Sequence, residues 1–164
     1  IIKKLIEELS SLQLMQMILS IIEINYVTLV ENQFGNFVIQ KAIDIFGYKN
    51  CEKLMINILT NAVYFSLQKY SSNVIDKIAI CLNQNNKLCF ERLISVLILT
   101  RNNLNILSQN KYGMYVLGNL VKLLSSQEKK NISHILINQD CALYYYSNIN
   151  NSNRKLSKFL CLLD

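Results

Sequence analysis

At 164 residues, with 51% apolar and 17% charged residues, the chain is long enough to bury a core and too apolar to remain disordered. Its five cysteines form no CxxC pair and its one histidine is His134, which argues against a zinc cluster or a Cys/His catalytic pair and reads the thiols as reduced core filler. A formal net charge of +6, with basic residues spread along the chain, favours a polyanionic partner lying on a long surface over one bound in a pocket.

No apolar run is expected to reach the ~18 residues of a membrane span, and "IIKKLIEELSS" lacks the order of a signal peptide, so a soluble protein is expected. Proline is absent and asparagine is abundant, as in "CLNQNNK" and "SNINNSN", so a single Asn carries little weight.

In chain order, residues 1–23 open on "IIKKLIEEL", which matches "VIQKAIDIF" at residues 38–46 and reads as a motif helix lacking its front. Residues 24–60 then carry Leu29, the segment Phe34-Gly35-Asn36-Phe37-Val38-Ile39-Gln40-Lys41 and a second apolar helix, "CEKLMINILTNAV". Residues 61–100 repeat this with Phe65, Tyr70-Ser71-Ser72-Asn73-Val74-Ile75-Asp76-Lys77 and "KLCFERLISVLIL". Residues 101–138 repeat it again with Leu107, Tyr112-Gly113-Met114-Tyr115-Val116-Leu117-Gly118-Asn119 and "EKKNISHILIN". Residues 139–164 read as a degenerate repeat or cap, in which the tyrosines of "ALYYYSNIN" pack.

Each motif thus has an aromatic, a small residue, two variable positions, Val and then Ile or Leu, with a large apolar residue five positions before the aromatic. From Phe34 to Tyr70 the offset is 36 residues and from Tyr70 to Tyr112 it is 42, the extra length falling around "NQNNK" and "TRNN". Apolar residues follow at i, i+1, i+4, i+5 and i+8: Val38, Ile39, Ala42, Ile43, Phe46; Val74, Ile75, Ile78, Ala79, Leu82; Val116, Leu117, Leu120, Val121, Leu124. That is the buried stripe of a helix, and its recurrence at a fixed period predicts an α-solenoid of a short helix, a motif helix and a longer helix per unit.

Residues four apart share a helix face, so Asn36 with Gln40, Ser72 with Asp76 and Met114 with Gly118 each point away from the stripe, flanked by Phe37, Asn73 and Tyr115. On these residues the three segments resemble the RNA-reading helices of Pumilio (PUF) repeats, over Ile1 to about Leu124. The resemblance implies an all-α, right-handed, curved solenoid of three-helix repeats whose concave face holds single-stranded RNA, one unstacked base per repeat. It also implies that this chain is the C-terminal part of a longer repeat domain.

Carried over position by position, Asn36 and Gln40 would match the donor and acceptors of uracil, with Phe37 stacking. Ser72 and Asp76 would suit guanine, whose two N–H groups a carboxylate can accept, with Asn73 alongside. The family has Glu where this chain has Asp76, one methylene shorter. Met114 and Gly118 offer no hydrogen-bonding side chain, leaving Tyr115 to stack any base. Lys3, Lys41 and Lys77, with Lys69 and Lys111, are candidates for phosphate. Phe34, Tyr70 and Tyr112 are expected to pack between repeats.

The resemblance implies antiparallel binding that spells any base, then G, then U, close to the family's UGU core. It further implies a cytoplasmic regulator of mRNA through 3′ untranslated regions, with corepressor proteins on the outer face. No membrane, cofactor, small-molecule substrate or enzymatic activity is expected. Two alternatives stand beside it: a Pumilio-like nuclear or nucleolar protein with little base selectivity, and a HEAT- or armadillo-like scaffold for proteins.

Overall fold

A computed structural model describes residues 12–139 and 159–163, and every regular element in them is helical. Lys3, most of the truncated first motif, and Tyr144, Tyr145 and Tyr146 lie outside the described residues. The helices are α1 (Leu12–Ile24), α2 (Tyr26–Glu31), α3 (Gly35–Leu59), α4 (Ala62–Ser66), α5 (Ser71–Asn85), α6 (Lys87–Ile94), α7 (Arg101–Gln109), α8 (Lys111–Lys122) and α9 (Ser126–Gln139). A π-helical turn, Ser95–Leu99, extends α6, and its end is marked by the Thr100 amide bonding to the Ser95 carbonyl five residues back.

The long α3 is two helices joined at a corner. Gly47 has φ 75° and ψ 173°, a left-handed conformation that glycine adopts without a Cβ penalty. The limbs, 35–46 and 48–59, therefore correspond to the motif helix and the longer helix of one unit, after the short α2. The next unit is α4, α5 and α6 with its π turn, and the third is α7, α8 and α9. The longer second interval is absorbed by α5, which runs for 15 residues, and by α7, whose 9 residues compare with 5 in α4. "TNAV" does not extend the first longer helix as expected: that helix ends at Leu59, non-helical Asn61 turns the chain, and Ala62 begins α4.

The predicted stripe residues are buried, apart from half-buried Val38. They join the motif helices into one continuous core, with α3 packed on α5 and α5 on α8. The small residue of each motif makes the joint with the preceding short helix. A Cβ on Gly35 would lie 2.6 Å from the Leu29 carbonyl oxygen, and one on Gly113 would lie 2.4 Å from that of Leu107. In the second unit Ser71 stands at this joint, fully buried, and its hydroxyl donates to the Phe65 carbonyl at 2.6 Å. The recurring large residue and the small one are thus the two sides of a single contact.

The first and third motif helices are also capped by asparagines two residues before the aromatic. The Asn32 side-chain oxygen accepts from the Phe34 and Gly35 amides at 2.8 and 3.0 Å, and that of Asn110 accepts from Tyr112 and Gly113 at 2.8 and 3.1 Å.

Three expectations need correction. Phe34 is 72% exposed and does not pack between repeats, because Gly35 takes the close contact with Leu29 and leaves the ring outside. The thiols are not uniformly core: Cys51 and Cys81 are buried, Cys89 is half-buried along an apolar groove with Ile56, Leu59 and Val96, and Cys161 is exposed on the turn between buried Phe159 and Leu163. Finally, Gln13–Glu31, with mean hydropathy 1.4, is long and apolar enough by length and composition to cross a membrane. It comprises two helices separated at Asn25, and Leu19, Ile22 and Val30 within it belong to the repeat core.

Candidate nucleic-acid interface

The motif helices pack on one another in sequence, but the side chains at their expected outward positions are not equally available. Asn36 is 1% exposed: its amide nitrogen donates to the Asn32 and Gln33 carbonyls at 2.9 and 3.0 Å. Its side-chain oxygen accepts from Gln40 Nε2 at 3.0 Å, so the two amides are joined and Gln40, half-buried, is the outer member. Phe37 stands beside them at 57% exposure.

In the second unit Ser72 is likewise 1% exposed, its hydroxyl directed to the Lys69 carbonyl at 3.4 Å. Asn73 leans back on the same carbonyl at 3.4 Å. A helical side chain near the start of its helix leans toward the N-terminus, which explains why both Asn36 and Ser72 turn to the preceding carbonyls. Asp76, half-buried, remains directed outward and is met by the third unit, where the Tyr115 hydroxyl donates to its Oδ2 at 3.3 Å and Asn119 also donates to it. Burial holds the Asp76 carboxyl above its ordinary range, against the lowering effect of those two hydrogen bonds and of the Lys122 and Lys77 charges. Tyr115 is also raised, by burial first and then by the Asp76 charge.

The third unit contributes little edge chemistry of its own. Met114 packs against the core, and the site of a Cβ on Gly118 lies 3.8 Å from Leu162 Cδ1, in ordinary contact with the closing turn. Tyr115 keeps 46% of its surface exposed.

The candidate cations divide similarly. Lys77 pairs with Asp44 of the preceding unit, so its charge is already met, and Lys41 is half-buried. Lys69 and Lys111, both exposed, sit with their amines 5.1 and 4.7 Å from the ring centres of Tyr70 and Tyr112, at the same place in two consecutive units. Asn119 occupies the repeat position held by Lys41 and Lys77, so the sequence pattern suggests charge there and conceals the hydrogen-bonding role of Asn119 and Lys122. Among the described residues no group of three or more His, Cys, Asp or Glu could hold a metal ion.

Three-helix units that share one core and align their middle helices define an α-solenoid repeat protein. No family model and no curated protein matches the sequence. Among solved structures, a crystal structure of PUF-8 in complex with PBE-RNA matches with a TM-score of 0.74 at 16% sequence identity, covering 99% of this chain and 46% of that chain. The chain has the fold of a PUF repeat region and spans about half the length of that neighbour.

Proposed function

We propose that the chain binds single-stranded RNA along its motif helices, with Gln40 reading uracil and Asp76 reading guanine. The observation that carries this is the recurrence of one outward hydrogen-bonding group at the same position of consecutive motif helices, an amide in the first and a carboxylate in the second. A primary amide places an acceptor and a donor side by side, complementary to uracil N3–H and a neighbouring carbonyl, whereas a carboxylate accepts guanine N1–H and N2–H together. A fold shared with a PUF protein crystallised on RNA supports the same reading.

With the later units toward the 5′ end, the preferred core is any base, G, U, as in a UGU element of an mRNA 3′ untranslated region. The proposed role is post-transcriptional repression or decay in the cytoplasm, with corepressors on the outer face. A less selective, nuclear or nucleolar RNA binder is the second reading, favoured by Met114 in the core and Gly118 against Leu162.

Fluorescence anisotropy at one fixed salt, comparing a UGU RNA with the same RNA carrying A for G, separates these. A preference of about tenfold that Asp76→Ala removes is expected. Equal, salt-sensitive binding to both would favour the unselective reading, and binding to neither would leave a protein scaffold.

A further inference from the structure

The Asp76 carboxylate belongs to the second unit, yet its hydrogen bonds come from the third. Tyr115 donates to Oδ2 at 3.3 Å and Asn119 donates to the same carboxylate. Asn119 is itself held, since Lys122 Nζ donates to its Oδ1 at 3.0 Å. A cation on the carbonyl end of an amide strengthens its N–H donors, so Lys122, Asn119 and Asp76 form a polarised relay that runs across the boundary between units. Meanwhile the two positions of the third unit expected to meet a base are a core methionine and a glycine lying against Leu162.

We infer that the second and third units share one guanine site: Asn119, as a positioning residue, and the Tyr115 hydroxyl fix the Asp76 carboxylate, and the third unit reads no base edge itself. A carboxylate offers about four lone-pair directions, so two taken by Tyr115 and Asn119 leave two, the number that guanine N1–H and N2–H require. Fixing a short Asp from the neighbouring unit also limits the rotation that would blur the distinction between guanine and adenine. The inference rests on the RNA-binding reading proposed above.

The test measures anisotropy with UGU, UAU and AGU RNAs for the wild type, Asn119→Leu and Tyr115→Phe, the last keeping the stacking ring. Expected are a wild-type preference for UGU over UAU of about tenfold, equal binding of UGU and AGU, and a preference reduced roughly threefold or more in each variant with UAU binding unchanged. The pH at which the guanine preference is half lost should also rise in Asn119→Leu, since a donor favouring the ionised carboxylate is gone. The other groups facing Asp76, namely Tyr115, Lys122 and the Asp44-paired Lys77, remain in that variant, with Lys122 released from Asn119 Oδ1. A full guanine preference with an unmoved pH midpoint in both variants would overturn the shared site while leaving RNA reading intact. A wild type that binds none of the three RNAs would overturn the RNA reading and this inference with it.

Discussion

Gln40 Nε2 donates to Asn36 Oδ1 at 3.0 Å, so the amide pair of the first unit has a buried inner member and a half-buried outer member. Replacing each should therefore have different effects. Gln40→Ala should cost the smaller share of stability, about 0.5 to 1 kcal/mol, and weaken uracil discrimination by about 1 kcal/mol, whereas Asn36→Ala should cost about 1 to 2 kcal/mol of folding stability through its buried hydrogen bonds. Urea unfolding alongside anisotropy with U and C at that position measures both, and equal stability losses in the two variants would contradict this division.

Three glycines in motif helices should respond to alanine in opposite directions. At Gly35 and Gly113 the added methyl meets backbone of Leu29 and Leu107 inside 3 Å, so substitution should destabilise by about 1 to 3 kcal/mol. At Gly118 the added methyl meets only Leu162 Cδ1 at 3.8 Å, and the gain in helix propensity should stabilise by roughly 0.5 to 1 kcal/mol. Thermal melts of the three variants decide it, and a destabilised Gly118→Ala would show that the closing turn sits closer.

The residues that made the fold legible are those whose role depends on spacing. Val74, Ile75, Ile78, Ala79 and Leu82 announce a buried helix face, and the pairing of Leu29 with Gly35 or Phe65 with Ser71 recurs in every unit because the same joint does. Side-chain direction was less legible. Spacing puts Asn36 beside Gln40 and Ser72 beside Asp76, but does not reveal that the first of each pair bends back onto carbonyls of the preceding turn. The corner at Gly47 was likewise hidden, since the other units turn without a glycine there. Asn32 and Asn110 cap helices, a role masked by the chain's general abundance of asparagine.

Asp76 should cost the fold stability at neutral pH. Its carboxyl is raised in the folded state from an ordinary 3.8, so the favourable, protonated condition is complete below that value and is lost as pH rises through the folded pKa. Asp76→Asn should thus melt higher than the wild type at pH 7, and the difference should shrink as pH falls below 4. A difference that persists or grows in acid would reverse the sign argued here.

Glu128 should behave in the opposite sense. It forms a capping box with Ser125, accepting from the Ser125 amide and hydroxyl at 2.7 Å each while its own amide donates back to the hydroxyl at 3.3 Å, and it pairs with Lys87 at 2.5 Å. Those contacts, led by Lys87, lower its pKa from 4.5 to about 2, so its contribution is present above 4.5 and lost as pH falls toward 2. Glu128→Gln should cost about 1 kcal/mol at pH 7 and almost nothing near pH 2, as read from denaturant midpoints. An equal cost at both pH values would mean that the carboxylate charge is not what matters.

Lys69 and Lys111, placed alike beside Tyr70 and Tyr112, should act on phosphate. Each change to Ala should weaken binding to UGU and UAU RNAs by a similar factor and reduce the slope of log affinity against log salt by about 1. A loss confined to one RNA would assign these lysines to base recognition instead.

Because α3 leans on α5 and α5 on α8, cohesion among the described residues runs from each unit to the next. Such an array can melt in steps, and hydrogen exchange should be slowest at the middle unit, which has a neighbour on each side. Asp76, proposed to read guanine, sits in that central unit, whereas Gln40 on one side and Tyr115 and Asn119 on the other stand in the units that fray first.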